Sequence, residues 1–315
     1  MDLRQERVLV TGGTGFLGRH LVTVLRERGV SVIATGRHPF DLCRLTAASA
    51  MISSTQATVV FHLAATVGGI GANAANPGLF FYDNMQMGLN VVEASRIAHI
   101  KKLVMVGTCC SYPKAPPVPF KEESLWDGYP EATNAPYGIA KRALLEMARA
   151  YRVEYGLDIV SLVPANLYGP GDHFDPERSH VIPGLVRKCV DAIRTRAAAV
   201  TCWGTGIATR EFLHVRDCAA GLIAACEAPG FDGPVNLGTG TEISIRDLAH
   251  LVAEMSGYRG PILWDATRPD GQPRRALDIS RAKMLFGWRA QIPLVDGLAE
   301  TIRHYEKEIR PVPAL

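Results

Sequence analysis

Four side chains near the middle of the sequence have the chemistry for proton transfer: the hydroxyl of Thr108, the thiol of Cys110, the phenol of Tyr137 and the ammonium of Lys141. Tyr137 and Lys141 are four positions apart, so on a helix they project from the same face. We expect the ammonium to lower the pKa of the phenol, which then gives and takes protons at neutral pH. A pair at this spacing is also common on exposed helices. With the thiol nearby, these residues indicate redox chemistry combined with epimerisation of a carbon.

The elements that must position these residues alternate along the first half of the chain. Apolar runs predict buried strands at residues 8–10, 31–34, 58–63, 102–106 and 159–163. Helical patterns lie between and after them, at residues 19–28, 84–98 and 137–155. This alternation predicts an α/β fold with a doubly wound parallel sheet that helices cover on both faces.

A glycine-rich turn follows the first predicted strand and opens a helix. Glycines at this spacing let the backbone turn tightly and let a pyrophosphate approach the amides and the positive end of the helix. The order strand, turn, helix predicts a Rossmann-type dinucleotide site. The turn residues expected to bind the cofactor are Gly12, Thr14, Gly15, Phe16, Leu17 and Gly18.

The end of the second predicted strand bears on which dinucleotide binds. A site for NAD usually has a carboxylate there, whereas residues 35–38 contain no acid. Arg37 can pair with a 2′-phosphate, which favours NADP (NADPH) and leaves NAD as the alternative. Ala64 and Ala65, which follow the strand predicted at 58–63, form an apolar wall near the cofactor or belong to the core.

The pattern changes after Pro164, where turn-rich segments and short helices predict a smaller, mixed α/β substrate lobe. We expect residues 1–165 and about 211–237 to form the dinucleotide-binding domain, and about 166–210 and 238–315 to form the second lobe. One helix is expected at residues 213–227 and another at 246–256.

Composition narrows the class of protein. The 315 residues carry a formal net charge of +3, a balance that requires neither nucleic acid nor an anionic membrane as a partner. No apolar run approaches the roughly 20 residues of a membrane span. Seven cysteines without a C-x-x-C pair, and a charged start that leaves no room for a signal-peptide core, predict a reduced, cytoplasmic protein. We expect no metal site.

Together these residues resemble the extended short-chain dehydrogenase/reductase family, and within it the members that act on GDP-sugars. The resemblance extends over nearly the whole chain. Besides the glycine turn, Thr108, Tyr137 and Lys141, it rests on residues 62–65, 67–70, 107–114, 134–141, 166–172, 179–183, 203–206, 210–215 and 269–274.

The resemblance implies an NADPH-dependent enzyme that inverts C3 and C5 of a GDP-4-keto-6-deoxy sugar and reduces its C4 ketone. The ketone acidifies the hydrogens on C3 and C5, because the carbanion delocalises into an enolate. Cys110 and His180 are the implied acid and base of the inversion. The implied catalytic residues are Thr108, Cys110, Tyr137, Lys141 and His180. Tyr137, Lys141, Pro164 and His180 join the cofactor site, and the implied substrate-binding residues are Asn166, Lys188, Trp203, Arg210 and Arg275.

Several residues depart from the pattern of that family. Thr108 and Cys109 replace serines, Ser111 an apolar residue, Thr66 a basic residue and Arg216 an acid. These departures leave room for a larger GDP-sugar or for epimerisation without net reduction.

Two other interpretations remain open. The first is a nucleotide-sugar 4-epimerase with tightly bound NAD, in which Tyr137 takes part in oxidising C4; the missing acid after the second strand counts against it. The second is a non-catalytic NADPH-binding sensor, which would not need Tyr137 and Lys141. The resemblance also implies a homodimer, because the helices predicted at 84–98 and 137–155 often form a two-fold contact in this family.

Overall fold

The main sheet of this computed structural model, which describes residues 1–176, 179–268 and 270–309, is parallel throughout. Its strands are β1 (Arg7–Thr11), β2 (Ser31–Thr35), β3 (Val59–His62), β4 (Lys102–Val106), β5 (Ile159–Pro164) and β9 (Pro234–Leu237). Their spatial order is β2-β1-β3-β4-β5-β9. The predicted α/β class and the doubly wound parallel sheet are therefore confirmed.

Helices cover both faces of this sheet because each face is apolar. The helices are α1 (Phe16–Glu27), α2 (Leu45–Thr55), α3 (Ile70–Ala75), α4 (Pro77–Ile97), α5 (Ala135–Tyr155) and α7 (Val215–Glu227). On one face α1 and α7 bury residues such as Leu21 and Leu222. On the other, α2, α4 and α5 bury Met51, Val91 and Leu144. Two separate apolar layers thus fix the sheet between the helices.

The rest of the chain builds two smaller sheets around a third apolar core. One contains β6 (Asn166–Tyr168), β8 (Thr209–His214) and β10 (Glu242–Ser244), with β8 in the centre, parallel to β6 and antiparallel to β10. The other pairs β7 (Val200–Trp203) with β11 (Ile262–Asp265). The remaining helices are α6 (Val181–Thr195), α8 (Ile245–Ser256), α9 (Ser280–Phe286) and α10 (Leu294–Glu308). The residue limits of the two lobes stay a prediction.

Several predicted helices have different limits in the structure, and two of these differences have a clear physical cause. Helix α4 begins at Pro77, seven residues before the predicted start at 84, because proline is well suited to the first turn of a helix. The helix predicted from Leu213 begins only at Val215. Leu213 instead pairs with β6, and the Nδ1 of His214 accepts a hydrogen bond from the Arg216 amide at 3.3 Å, which caps the helix start.

The strand order also tells where a ligand site forms. Strand β1 lies between β2 and β3, so the connections after β1 and after β2 leave in opposite directions. In open parallel sheets, ligands bind outside the carboxyl ends of the strands at such a switch point. Within the described ranges, no helix has the length and apolar character needed to cross a membrane.

Candidate active site

A cleft with a volume of about 490 Å³ opens at the carboxyl ends of the main strands. Every residue predicted to be catalytic or to bind the cofactor lines it, together with one predicted substrate residue. They are Gly12, Thr14, Gly15, Phe16, Leu17, Gly18, Arg37, Ala64, Ala65, Thr108, Cys110, Tyr137, Lys141, Pro164, Asn166 and His180. The structure therefore brings together residues that are up to 168 positions apart in sequence.

The glycine turn at one end of the cleft is shaped for close backbone approach. Gly12 has φ +67°, and a Cβ there would lie 2.8 Å from the Ala64 nitrogen. Helix α1 begins immediately after the turn, with Gly15 as its N-cap and no side chain capping its first amides. These free amides and the positive helix end fit a pyrophosphate. The donor set of this end suits a dinucleotide.

Arg37 is exposed at the same end of the cleft and makes no ion pair with any described residue. Sequence reasoning missed Asp41, whose carboxylate also lines the cleft and accepts a hydrogen bond from the Cys43 amide at 3.1 Å. An acid that binds the ribose is expected at the end of the second strand, at residues 35–38, whereas Asp41 stands four residues beyond Arg37. The cleft thus offers both a cation and an acid where the adenosine ribose of a dinucleotide would lie.

The catalytic end is built where the loop after β4 meets the start of α5. A 3-10 turn over Cys109–Ser111 begins with Thr108, whose hydroxyl accepts a hydrogen bond from the Cys110 amide at 3.2 Å. A Cβ at Gly138 would collide with the carbonyl oxygen of Cys110, so only glycine lets the helix come this close. The Ser111 hydroxyl donates to the Gly138 carbonyl at 3.0 Å. This contact places Tyr137 beside Thr108 and Cys110.

Tyr137 and Lys141 follow one turn apart on α5, the first half-buried and the second buried. Nζ of Lys141 donates to the carbonyl oxygen of Val106 at 3.1 Å, and burial lowers its pKa to about 8. Burial also raises the pKa of Tyr137; negative charge on Cys110 adds to this rise, and a hydrogen bond with Thr108 opposes it. The expectation that Lys141 lowers the phenol pKa is wrong, because burial dominates. The phenol is a proton donor at neutral pH.

Cys110 has charged and polar neighbours that lower its pKa. Nη1 of Arg275 lies 3.6 Å from the sulfurs of both Cys109 and Cys110. A hydrogen bond from the Cys109 thiol lowers the pKa of Cys110 most, and the Arg275 charge and Thr108 add to the effect against the opposing burial. The hydrogen bond donated to Cys110, followed by burial, raises the pKa of Cys109. The structure therefore favours a thiolate at Cys110 next to a protonated Cys109.

His180 enters the cleft from the second lobe, at the N-cap of α6. Its side chain is exposed to the cleft, yet surrounding protein lowers its pKa by desolvation. Negative charge on Cys110 opposes that change. The ring is thus electrostatically coupled to the thiol that faces the same space.

Four predicted substrate residues lie outside the cleft lining: Lys188, Trp203, Arg210 and Arg275. Nζ of Lys188 donates to the Thr201 carbonyl at 2.8 Å, and Trp203 is exposed under the guanidinium of Arg268, 5.0 Å from the ring centroid. Arg210 is buried; desolvation first, and then the charge of Arg275, lower its pKa to about 10.

Asp172 is a second residue that sequence reasoning missed. It lines the cleft, it is buried, and its Oδ2 has no hydrogen-bond partner within the described ranges. Burial raises its pKa to about 7. Its only sequence signal was its place in the turn-rich segment 166–172. Among the described residues no group of three or more His, Cys, Asp and Glu side chains could hold a metal ion.

The sheet order, the glycine turn and the Tyr137–Lys141 pair define a dinucleotide-dependent enzyme fold of the extended short-chain dehydrogenase/reductase type. The chain belongs to the NAD dependent epimerase/dehydratase family, whose sequence profile matches residues 8–238.

Comparison with individual proteins narrows the likeness. The chain is 39% identical over 305 residues to "Probable GDP-L-fucose synthase 1" of Oryza sativa subsp. japonica, which covers 96% of this chain and 93% of that protein. Among solved structures it resembles a GDP-L-fucose synthetase from Naegleria fowleri bound to NADP, with a TM-score of 0.89, 27% identity, and coverage of 98% of this chain and 95% of that one. It also resembles a GDP-6-OMe-4-keto-L-xylo-heptose reductase from C. jejuni, with a TM-score of 0.92, 28% identity, and coverage of 98% and 99%.

Proposed function

We propose that this protein is an NADPH-dependent epimerase-reductase that inverts C3 and C5 of a GDP-4-keto-6-deoxy sugar and reduces its C4 ketone, as a GDP-L-fucose synthase does. The observation that carries the proposal is that two different chemical sets face one cleft. A hydroxyl, a phenol and an ammonium suit ketone reduction, while a thiol and an imidazole suit inversion of the neighbouring carbons.

The inversion uses the acidity that the ketone confers on C3 and C5. Cys110 and His180 remove a proton from one face of the carbon and return one to the other face. The electron pair of the broken C–H bond moves onto the ketone oxygen as an enolate. Thr108 and Tyr137 donate hydrogen bonds to that oxygen and stabilise its charge.

The reduction uses the same two donors on the same oxygen. NADPH, when bound, supplies the hydride to C4. Tyr137 gives its proton to the oxygen of the developing alkoxide, which suits a phenol that burial keeps protonated. Lys141, a buried cation that also lines the cleft, holds the cofactor ribose. Arg37 pairs with the 2′-phosphate of the cofactor.

The substrate nucleotide is proposed to meet Lys188, Trp203 and Arg210 in the second lobe. Trp203 offers an exposed aromatic face and Lys188 an exposed ammonium. Stacking suits the guanine base, and the cations suit the diphosphate. Asn166, which lines the cleft, is the remaining proposed substrate contact.

Isotope exchange separates the two halves of the proposed reaction. The purified protein is incubated with GDP-4-keto-6-deoxymannose and NADPH in deuterated water. We expect loss of NADPH absorbance together with deuterium at both C3 and C5. Deuterium incorporation without NADPH loss would instead indicate an epimerase. The absence of both deuterium incorporation and NADPH loss would overturn the assignment for this sugar.

A larger GDP-sugar is the second candidate substrate. Thr66, one of the departures from the family pattern, lines the cleft, and its hydroxyl donates to Asp83 at 3.0 Å. The likeness to a reductase of a GDP-heptose supports this candidate. The same isotope assay with a GDP-4-keto-heptose decides it, because the better substrate has the higher kcat/KM.

We propose further that the enzyme is a homodimer in the cytoplasm. Helices α4 and α5 pack on each other and leave large apolar side chains exposed, among them Tyr82, Ile97 and Tyr155. All seven cysteines are free, which suits a reducing compartment. Light scattering at micromolar concentration tests the assembly, and a monomer mass would overturn it.

A further inference from the structure

Arg275 is a buried arginine that contacts the sulfurs of Cys109 and Cys110. Only 7% of the residue is exposed. Its Nε donates to the Gln272 side-chain oxygen at 3.1 Å, and its Nη1 lies 3.6 Å from the sulfurs of Cys109 and Cys110. In the described part of the chain no carboxylate pairs with it. A buried guanidinium without a counter-charge is strongly unfavourable, and the two sulfurs are the groups in contact with it that can carry a negative charge.

The two sulfurs are not equivalent. Cys109 is buried in the main core, whereas Cys110 is half-buried and lines the cleft. The Cys110 amide donates to the Thr108 hydroxyl, which fixes the short turn that presents its sulfur. A thiol at Cys109 can donate its proton to the neighbouring sulfur, but the reverse would place the negative charge in the core. The geometry therefore favours negative charge at Cys110.

We infer that Arg275 and Cys109 are positioning residues that hold the sulfur of Cys110 as a thiolate. The inference deepens the proposed function, on which it rests for the role of that thiolate as a base. In that step the thiolate takes a proton from the sugar carbon and becomes a thiol, the C–H electron pair becomes the enolate, and His180 returns a proton to the opposite face. Both side chains then exchange protons with water, which resets the site.

This assignment differs from the diphosphate contact that family resemblance implies for Arg275. Nε and Nη1 of Arg275 already face an amide oxygen and two sulfurs, which leaves mainly Nη2 for a phosphate. The charged, titratable and hydrogen-bonding groups that act on Cys110 come from several elements: Cys109 and Thr108 on its own loop, Tyr137 on α5, His180 at α6, Arg210 on β8, and Arg275. Only Arg275 among them is a cation in contact with the sulfur.

Site-resolved alkylation measures the charge of the sulfur directly. The protein is treated with iodoacetamide over a range of pH, and mass spectrometry follows each cysteine separately, because the thiolate is the form that reacts. Cys43 is an internal reference, since it is half-buried and lines the same cleft, but burial and the carboxylates of Asp83 and Asp41 raise its pKa. We expect the Cys110 midpoint below the usual thiol value of about 8.5 and that of Cys43 above it.

Variants identify which group is responsible. R275Q is expected to raise the Cys110 midpoint by about one to three pH units, the effect of losing a nearby opposite charge. R274Q is the matched control, because Arg274 is exposed and pairs with Glu242, and it should leave the midpoint unchanged. C109A should raise the midpoint as well, and C109S should restore it, because a serine hydroxyl still donates to the thiolate.

The outcomes separate this inference from the proposed function. A wild-type Cys110 midpoint at or above that of Cys43 overturns the thiolate, and this measurement requires no variant to fold. A low midpoint that R275Q leaves in place, with native circular dichroism, overturns the role of Arg275. Alkylation uses no sugar, so a chain that fails the isotope assay can still pass this test. If both hold, the acid limb of deuterium incorporation should move with the alkylation midpoint in R275Q.

Discussion

Two buried cations border the catalytic end of the cleft, and the structure balances them in opposite ways. Among the described residues, the carbonyl oxygen of Val106 is the one hydrogen-bond partner of Lys141, and burial lowers the pKa of Lys141 to about 8. Burial acts in the same direction on Arg275, but the sulfurs of Cys109 and Cys110 outweigh it and raise the pKa of that guanidinium. One cation is left without a counter-charge, and the other already has one.

The difference indicates what each cation can do for a ligand. A cation without an internal anion gains most from a negative group that forms during the reaction, such as a phenolate beside it. A cation that already contacts a sulfur is less available to a phosphate. The side of the cleft around Lys141, the lysine side, can thus stabilise negative charge that appears during reduction. The side around Arg275, the arginine side, stabilises a thiolate that exists before the reaction.

Replacing the phenol of Tyr137 should have the largest effect on activity, because it removes the proton donor of the reduction. It leaves the arginine side of the cleft unchanged. In Y137F we expect the rate of NADPH oxidation to fall by about 10²–10⁴-fold, the usual contribution of general acid catalysis. NADPH affinity, measured by fluorescence titration, should change little. The alkylation midpoint of Cys110 should stay low, because Arg275 and Cys109 are untouched.

Tyr155 provides the control for that experiment. It lies on the same helix, and its side chain is exposed rather than in the cleft, so Y155F should keep wild-type rates. Equal losses in Y137F and Y155F would show that the helix tolerates no change at all. Nearly full activity in Y137F would remove the phenol from the mechanism.

Lys141 should destabilise the protein in a pH-dependent way, unlike Arg275. Its folded pKa of about 8 lies below its usual value of 10.5, so burying the charge costs about 3 kcal/mol at neutral pH. The unfolded chain binds more protons between these two values, so this cost is complete below pH 8 and disappears as the pH rises toward 10.5. K141M should therefore raise the free energy of unfolding by up to about 3 kcal/mol at pH 7, and it should not oxidise NADPH.

Urea unfolding of wild type and K141M at several pH values measures this difference. Comparing the two proteins at each pH cancels the titration of all other groups. The gap between them should narrow as the pH rises from 8 to 10.5. A gap that is constant with pH would mean that the lysine keeps its ordinary pKa in the folded protein, and the contrast with Arg275 would then be lost.

The lysine side of the cleft was predictable from sequence because local spacing determines it. The glycine turn, the strand before it, and Tyr137 and Lys141 four positions apart are each defined by short-range patterns. Parallel strands bring their carboxyl ends to one edge, which is why Thr108 after β4 and Gly12 after β1 line the same cleft. The strand limits matched closely; β4 spans the predicted residues Lys102–Val106.

The arginine side was not predictable, because its contacts join distant residues. The sulfur of Cys110 and the guanidinium of Arg275 are 165 positions apart in sequence. The extent of burial could not be predicted from the sequence either. Burial raises the pKa of Tyr137, opposite to the expected change, and it raises the pKa of Asp172 to about 7. Both effects depend on how tightly the second lobe and the loop after β4 enclose the site, which no periodicity records.

Gly138 tests whether the two sides are mechanically joined. A Cβ there would collide with the Cys110 carbonyl oxygen, so G138A should push helix α5 away from the sulfur loop. We expect a loss of about 1–3 kcal/mol of stability, typical of overpacking, together with reduced NADPH oxidation and a changed Cys110 alkylation midpoint. Thermal unfolding and the two assays measure these effects.

Gly78 is the control, because a Cβ there meets nothing within 4 Å and G78A should be close to neutral. An unchanged midpoint in G138A would show that the sulfur loop keeps its place without the helix.

Arg37 is a third cation of the cleft. Because its side chain is exposed, its replacement should have the smallest effect of these variants. It lines the far end of the cleft, and solvent screens its charge. R37Q should weaken NADPH binding by roughly tenfold, the value of one charge-assisted hydrogen bond, and leave NADH binding unchanged because NADH lacks the 2′-phosphate. Titrations with both cofactors measure the ratio, and R26Q, at an exposed arginine of helix α1 outside the cleft lining, should leave it as in wild type. Equal weakening of both cofactors would mean that Arg37 supports the shape of the site rather than the phosphate, and would shift attention to Asp41 as the residue that meets the ribose.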